Sequence, residues 1–321
     1  MSASVARFEM KPTRFGYSEA LLALGREDDR IVVLDADLAK STTTERFKER
    51  FPGRFFDMGI AEQNMLGMAA GLSLAGFVPF VSTYGVFLSG RAWDQIRTTI
   101  SYGGLNVKLG GAHGGLSVGP DGATHQALEE ITLTRVLPGM TVLVPADYQE
   151  TIKATRAAAA VKGPVYIRFG RAPVPMVTRP EDPFMIGKAN TYREGGDITI
   201  ISTGAMLAPA LRAADNLASR GIQARVLNMH TIKPLDVDAV VRAAKETGGL
   251  VTVEEHQING GLGGAVAECL VENFPAPMER VGIRDTFGES GEPDELQESY
   301  GLTAEEIEAA ARRVIERKGP R

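Results

Sequence analysis

Cysteine is almost absent from this chain: Cys269 is the only one in 321 residues. Internal disulfides are excluded, a reducing compartment is implied, and the apolar setting "GAVAECLVENF" marks Cys269 as a packed residue rather than a nucleophile. No run approaches the roughly 20 continuous apolar residues of a membrane span, and the N-terminal "MSASVARFEMKPTRFG" has no apolar leader core. A cytoplasmic protein is expected. Lys and Arg nowhere cluster and the net charge is -5, which argues against a nucleic-acid surface. Small phosphorylated ligands stay open, because they need only a few convergent Arg and His residues. Histidine is scarce as well, with four in the chain. The spacing of His113 and His125 suits no zinc pattern and no second ligand pair accompanies them, so no metal site is expected here. No G-x-S-x-G follows a strand, so a nucleophile elbow is missing too.

What is present is alternation. Short β-branched runs, "IVVLDAD", "FFDMG", "FVPFVST", "NVKLGGAH", "TVLVPAD" and "VYIRFG", each end in small or polar residues and precede a helical pattern. Strands alternating with helices predict parallel strands in an α/β sheet covered on both faces. Between about Ala172 and Asn190 the pattern lapses into "APVPMVTRPEDPFMIGKAN", with four prolines, which reads as a linker. Alternation then resumes through "DITIISTG", "ARVLNMHTI", "LVTVEEH" and "ERVGIRD", and helices stop at Gly221 and Gly248, where C-cap glycines belong. The expected organisation is an α/β domain over 1–178, a linker over 179–190, and a second α/β domain over 191–321, each a mostly parallel sheet covered by helices.

Ligands of parallel α/β sheets sit at the carboxyl ends of strands, where helix N-termini also point. In the first domain those ends carry Asp35, Asp37, Glu62, Thr83, Tyr84, His113, Asp147, Arg168 and Arg171, with Asp121 and His125 following in "GGLSVGPDGATHQ". Plain readings exist for several. Asp147 in "PADYQETIKA" caps a helix; Tyr84 and Phe87 are core or pocket-wall aromatics; Arg91 and Asp94 in "RAWDQIR" fix each other or a neighbouring loop. Glu62 could simply complement a helix dipole, worth about 0.3 to 1 kcal/mol. Yet the helix it heads, "NMLGMAAGLSLAG", is apolar on nearly every face and is expected to be buried. A buried carboxylate is costly without a hydrogen-bond donor. The residues alone leave both readings of Glu62 open.

The strings "GIAEQNM", "VPFVSTYGVFLSGRAWDQIR", "GGAHGGLSVGPDGATHQALEEITLTRVLPGMTVLVPAD" and "YIRFGRAPVP", in that order, resemble the pyrimidine-binding domain of transketolase, and the remainder resembles its C-terminal domain. The resemblance covers essentially the whole chain. Members of that family hold the cofactor's diphosphate and a divalent cation in a separate N-terminal domain, through a GDG motif followed by an Asn. This chain has no GDG. It is thus similar to the C-terminal half of a split transketolase, inactive alone.

The resemblance implies thiamine diphosphate as cofactor, with Mg2+ or Ca2+ held by the partner subunit, and transfer of a two-carbon ketol unit from a ketose phosphate to an aldose. It places Glu62 on a ring nitrogen of the cofactor's aminopyrimidine, so that the cofactor itself supplies the base, with Tyr84 and Phe87 enclosing the ring. Asp121 and His125 match contacts to sugar hydroxyls. His113, Arg14, Ser41 and Arg171 match a phosphate grip suited to Arg forks. Catalytic roles fall to Glu62, His113 and His125. Gly90 lengthens the segment after Phe87 by one residue relative to several members, so no third stacking aromatic is carried over. The expected assembly is a homodimer of this chain within a heterotetramer with the N-terminal subunit. The alternatives are the β subunit of a 2-oxo acid dehydrogenase, half of a deoxyxylulose-phosphate-synthase-like enzyme, and a non-catalytic partner.

Overall fold

The structure, a computed structural model, describes residues 8–318; residues 1–7, where no leader core is expected, and 319–321 lie outside it. The first half runs β1 (Met10–Pro12), α1 (Thr13–Glu27), β2 (Ile31–Asp35), α2 (Ala39–Thr42), α3 (Glu45–Arg50), β3 (Phe55–Asp57), α4 (Glu62–Leu74) and β4 (Val78–Tyr84). It continues with β5 (Lys108–Ala112), α5 (Glu130–Arg135), β6 (Thr141–Leu143), α6 (Tyr148–Ala160), β7 (Val165–Arg168) and β8 (Pro173–Pro175). In the second half come β9 (Asn190–Arg193), β10 (Ile198–Ser202), α7 (Leu207–Ser219), β11 (Ala224–Asn228), β12 (Thr231–Lys233) and α8 (Val237–Thr247). It closes with β13 (Leu250–Gln257), α9 (Leu262–Asn273), β14 (Met278–Ile283), α10 (Pro293–Ser299) and α11 (Ala304–Lys318).

The first sheet has the order β12-β6-β7-β5-β4-β2-β3 and the second β14-β13-β10-β11-β9. Within these two sheets all pairings are parallel except at the edge strands β12 and β9, and β1 and β8 form a separate antiparallel pair. Both sheets are covered by helices, so the α/β expectation holds. Strands β2 and β4 are buried along their whole length, as a sheet shielded on both faces requires. The pleat sorts their residues: Val32, Leu34 and Val81 pack with Met65 and Leu66 of α4, while Ile31, Val33 and Phe80 pack with Tyr17 and Leu21 of α1.

Three features differ from the sequence expectation or add to it. The run "ARVLNMHTI" is not one strand: it splits into β11 and β12, and β12 crosses to pair antiparallel with β6, covering an edge of the first sheet. Helix α4 is not buried all round within a single chain. Met65, Leu66, Ala69 and Ala70 face the sheet, whereas Gln63, Asn64, Gly67, Met68 and Gly71 are exposed. Asp147 does cap α6, accepting from the Glu150 amide at 3.1 Å. It also accepts from the amides of Val177 and Thr178 at 2.8 and 2.6 Å, fastening the proline-rich stretch to the first domain.

Candidate active site

The carboxyl ends of β2, β4 and β5 share one edge of the first sheet, and the residues after them meet there. Glu62 opens α4 and is 1% exposed. Its carboxylate has a partner that the sequence reading missed: Arg91 Nη1 donates to both oxygens, at 3.0 and 2.9 Å. Arg91 therefore pairs with neither Asp94 nor a loop. The wide i→i+5 turns over Phe87–Arg91 absorb an extra residue in a helix, and so accommodate Gly90. The demand was legible, because a buried carboxylate requires a donor, but the wide turns after β4 decide that Arg91 answers it.

A ring cluster adjoins this pair. The Arg91 guanidinium lies 4.9 Å from the Phe87 ring centroid. Phe87 stacks on Tyr84 at 5.7 Å, and Tyr84 stacks on the His113 imidazole at 4.0 Å. His125 stands edge-on to both aromatics, at 5.9 and 5.4 Å, with Nδ1 2.8 Å from Thr124 Oγ1. Tyr84 is buried and Phe87 half-buried, so one ring wall still faces outward.

His113 takes a left-handed backbone, φ 57, and its buried Nδ1 has no partner among the described residues. Burial, reinforced by the positive charges of Arg14, Arg171 and His125, pushes its pKa down to about 3. It is therefore a neutral imidazole at physiological pH, able to donate from one nitrogen and accept at the other. Arg14 donates to the Ser41 carbonyl at 2.9 Å, so Ser41 enters this arrangement through its backbone. Burial and the neighbouring Arg171 lower the Arg14 pKa, and Arg14 Nε is buried without a partner. Arg171 pairs with Asp121 at 3.0 Å in an exposed contact, the kind that a stronger anion can displace at small cost.

The structure thus brings together Glu62, Tyr84, Phe87, His113 and His125, with Arg14, Arg171, Asp121 and the Ser41 carbonyl beside them. It takes three strand-end residues elsewhere. Asp35 closes its own turn, accepting from Leu38, Thr42 and Thr44, and burial raises its pKa to about 6. Asp147 serves the linker, as above. Arg168 pairs with Glu130 of α5 and, across to the second domain, donates to the Glu255 carbonyl at 2.8 Å. A cavity of about 820 Å3 between the two halves is lined by Ser117, Arg212, Asn216, Pro293 and Gln297, and by none of the nine expected residues. Among the described residues, no three His, Cys, Asp or Glu side chains stand close enough to hold a metal.

The site thus combines a buried acid, stacked rings and two arginines. Comparison with known proteins decides the lineage. The family model of the transketolase pyrimidine-binding domain matches residues 9–176, and that of the transketolase C-terminal domain matches residues 187–307. The chain belongs to the transketolase family. This transketolase-family chain is 48% identical over 302 residues to a 6-deoxy-6-sulfo-D-fructose transketolase subunit of Clostridium sp. (strain MSTE9), covering 94% of each. It is 41% identical over 295 residues to an apulose-4-phosphate transketolase subunit of Phocaeicola vulgatus, covering 92% of this chain and 94% of that one. Among solved structures, a split-gene transketolase described as an inactive β4 tetramer matches with TM-score 0.89 and 49% identity, over 96% of this chain and 99% of that one. No helix among the described residues is long and apolar enough to cross a membrane.

Proposed function

We propose that this chain is the C-terminal subunit of a two-chain transketolase in the cytoplasm, transferring a two-carbon ketol unit from an anionic ketose to an aldose with thiamine diphosphate. The observation that carries this reading is Glu62: a buried carboxylate at a helix N-terminus, joined through Arg91 to the Phe87, Tyr84 and His113 rings. Bound thiamine diphosphate would supply the carbon nucleophile and the electron sink. Glu62 would hold an oxygen toward a ring nitrogen of the pyrimidine, and Tyr84 and Phe87 would enclose that ring and keep water from it.

His113, held neutral by its lowered pKa, would donate a hydrogen bond to the donor's anionic group, and Asp121 and His125 would bond sugar hydroxyls. Arg14 and Arg171 would hold the anionic end of the donor, with Ser41 at the rim. A guanidinium can also donate to a sulfonate, a monoanion with three acceptor oxygens. The name of the Clostridium relative makes a sulfonated ketose a second donor worth assaying beside a ketose phosphate.

The diphosphate and its Mg2+ or Ca2+ would be held by a separate N-terminal subunit. Coverage of 94% of the similar subunits supports a chain of this extent working as half of an enzyme. The exposed face of α4, with Gly67, Met68 and Gly71, and the neighbouring exposed Ile60 and Leu74, suit close contact with a second copy, giving a homodimer within a heterotetramer. The test is reconstitution with the N-terminal subunit and assay of three reactions side by side: ketol transfer, oxidative decarboxylation of a 2-oxo acid, and pyruvate-dependent condensation. Ketol transfer alone is the expected result; turnover in either of the others, without it, overturns the assignment.

A further inference from the structure

The loop between His113 and Gln126 carries Asp121 and His125, yet much of what holds it in place comes from the second domain. Ser117 N-H donates to Glu255 Oε1 at 2.6 Å, from a residue of β13 that is 3% exposed. The backbone passes so close that a Cβ built on Gly115, at φ +93, would lie 2.4 Å from the Glu255 carboxyl carbon. Only glycine permits both that conformation and that approach. Gln126 Nε2 reaches the Leu116 and Glu289 carbonyls at 3.2 and 2.9 Å, tying the far end of the loop to the second domain. Gly119 and Gly122 lie against Pro293 and Ser290.

Ser117 stands in the first of two short turns over Leu116–Asp121, joined by a kink at Gly119 (φ 79), and the second ends on the aspartate that pairs with Arg171. The Ser117 amide anchors the start of this segment and the packing of Gly119 on Pro293 restrains the kink, so together they limit the direction from which Asp121 approaches Arg171. A carboxylate acceptor makes this bond stronger than a neutral one. The acid is itself anchored, because Arg168 Nη2 donates to its backbone carbonyl at 2.8 Å. We propose that Glu255 is a positioning residue for substrate: through the Ser117 amide it holds the loop of Asp121 and His125 in register with Arg171, so the second domain shapes the sugar site without touching the sugar. This rests on the reading of that loop as the sugar site.

The test uses the chain reconstituted with its N-terminal subunit, with D-xylulose 5-phosphate and a sulfonated ketose as probe donors, and reads both kinetics and amide hydrogen exchange. In Glu255→Ala the Ser117 amide should exchange about tenfold faster, and the KM for donor should rise about tenfold with a smaller change in kcat. The affinity for thiamine diphosphate should be unchanged. Glu255→Gln keeps a neutral acceptor oxygen at the same place and should restore most of both. Peptides from β10 serve as the folding control; if they also exchange faster in Glu255→Ala, the comparison of Glu255→Gln with wild type carries the test.

Unaltered exchange at Ser117 in a folded Glu255→Ala overturns the inference, as does faster exchange with an unmoved KM. Failure of Gln to restore KM also overturns it, since that would show the carboxylate charge acting on Arg168 rather than the acceptor acting on Ser117. A wild-type complex that transfers no ketol unit from either probe overturns the reaction assignment separately, and the exchange measurement still decides whether Glu255 holds the loop.

Discussion

Arg91 Nη1 spans both oxygens of Glu62, at 3.0 and 2.9 Å, so the buried acid carries its counter-charge within the same chain. The pair is asymmetric, with the Glu62 side chain 1% and the Arg91 side chain 47% exposed. Removing the arginine strands a buried carboxylate, whereas removing the acid merely frees a solvated cation. Arg91→Met is expected to cost about 1 to 3 kcal/mol, below the value for a wholly buried pair because Arg91 is half in water. Glu62→Gln with Arg91→Met should recover part of that loss. Denaturant midpoints of the wild type, the two single variants and the double variant form the cycle, and strictly additive losses would show the contact to be energetically idle.

Glu62→Ala in the reconstituted complex should lower ketol transfer by several orders of magnitude while the complex still assembles. In the proposed function the acid polarises the bound ring, and it forms no part of the aliphatic packing of α4. Steady-state turnover alongside sedimentation separates the two effects. Near-normal turnover would sink the assignment.

The pH dependence of His113 has a definite sign. Its folded pKa of about 3 lies below the ordinary value of about 6.5, so the unfolded chain binds the extra proton between those limits. Stability contributed by the neutral ring is present above pH 6.5 and is lost as the pH falls. Wild type should therefore lose about 2 kcal/mol relative to His113→Gln between pH 6.5 and pH 5. Paired unfolding curves at one protomer concentration measure this, and a pH-independent difference contradicts it.

Gly71 lies on the exposed face of α4, and a Cβ built there meets nothing within 4 Å in the single chain. Gly71→Arg should fold normally yet reduce self-association, because a long cation would occupy the proposed contact between copies. Sedimentation velocity reads the result. An unchanged oligomer would move the copy-to-copy contact to another face.

Asp147→Ala removes the α6 cap together with three further hydrogen bonds, from the Val177 and Thr178 amides and the Thr178 hydroxyl. A stability loss of about 2 to 4 kcal/mol is expected from the cap and the orphaned donors. Faster protease cleavage between 176 and 190 should accompany it. Cleavage at the wild-type rate would mean that the proline-rich stretch is held by other contacts.

The periodicity of the sequence determined the α/β class, because "IVVLDAD" and "FVPFVST" alternate too little for a solvent-facing strand and end in polar residues at the edge where ligands gather. Helix ends were legible as well: Gly248 sits at φ 73, closing α8, as glycine's freedom there allows. Ordered motifs gave the family and singled out Glu62, Tyr84, Phe87, His113 and His125, which the fold gathers into one cluster. Periodicity could not show that Arg91 would reach back to Glu62, since that contact spans 29 residues and depends on the wide turns after β4. Nor could it divert Arg168 to Glu130, carry β12 to the first sheet, or bring Glu255 to Ser117 across 138 residues. Local patterns record which face of an element is apolar. Which charged side chain meets which across the molecule is set by where the sheets place their strand ends, and only the tertiary structure decides that.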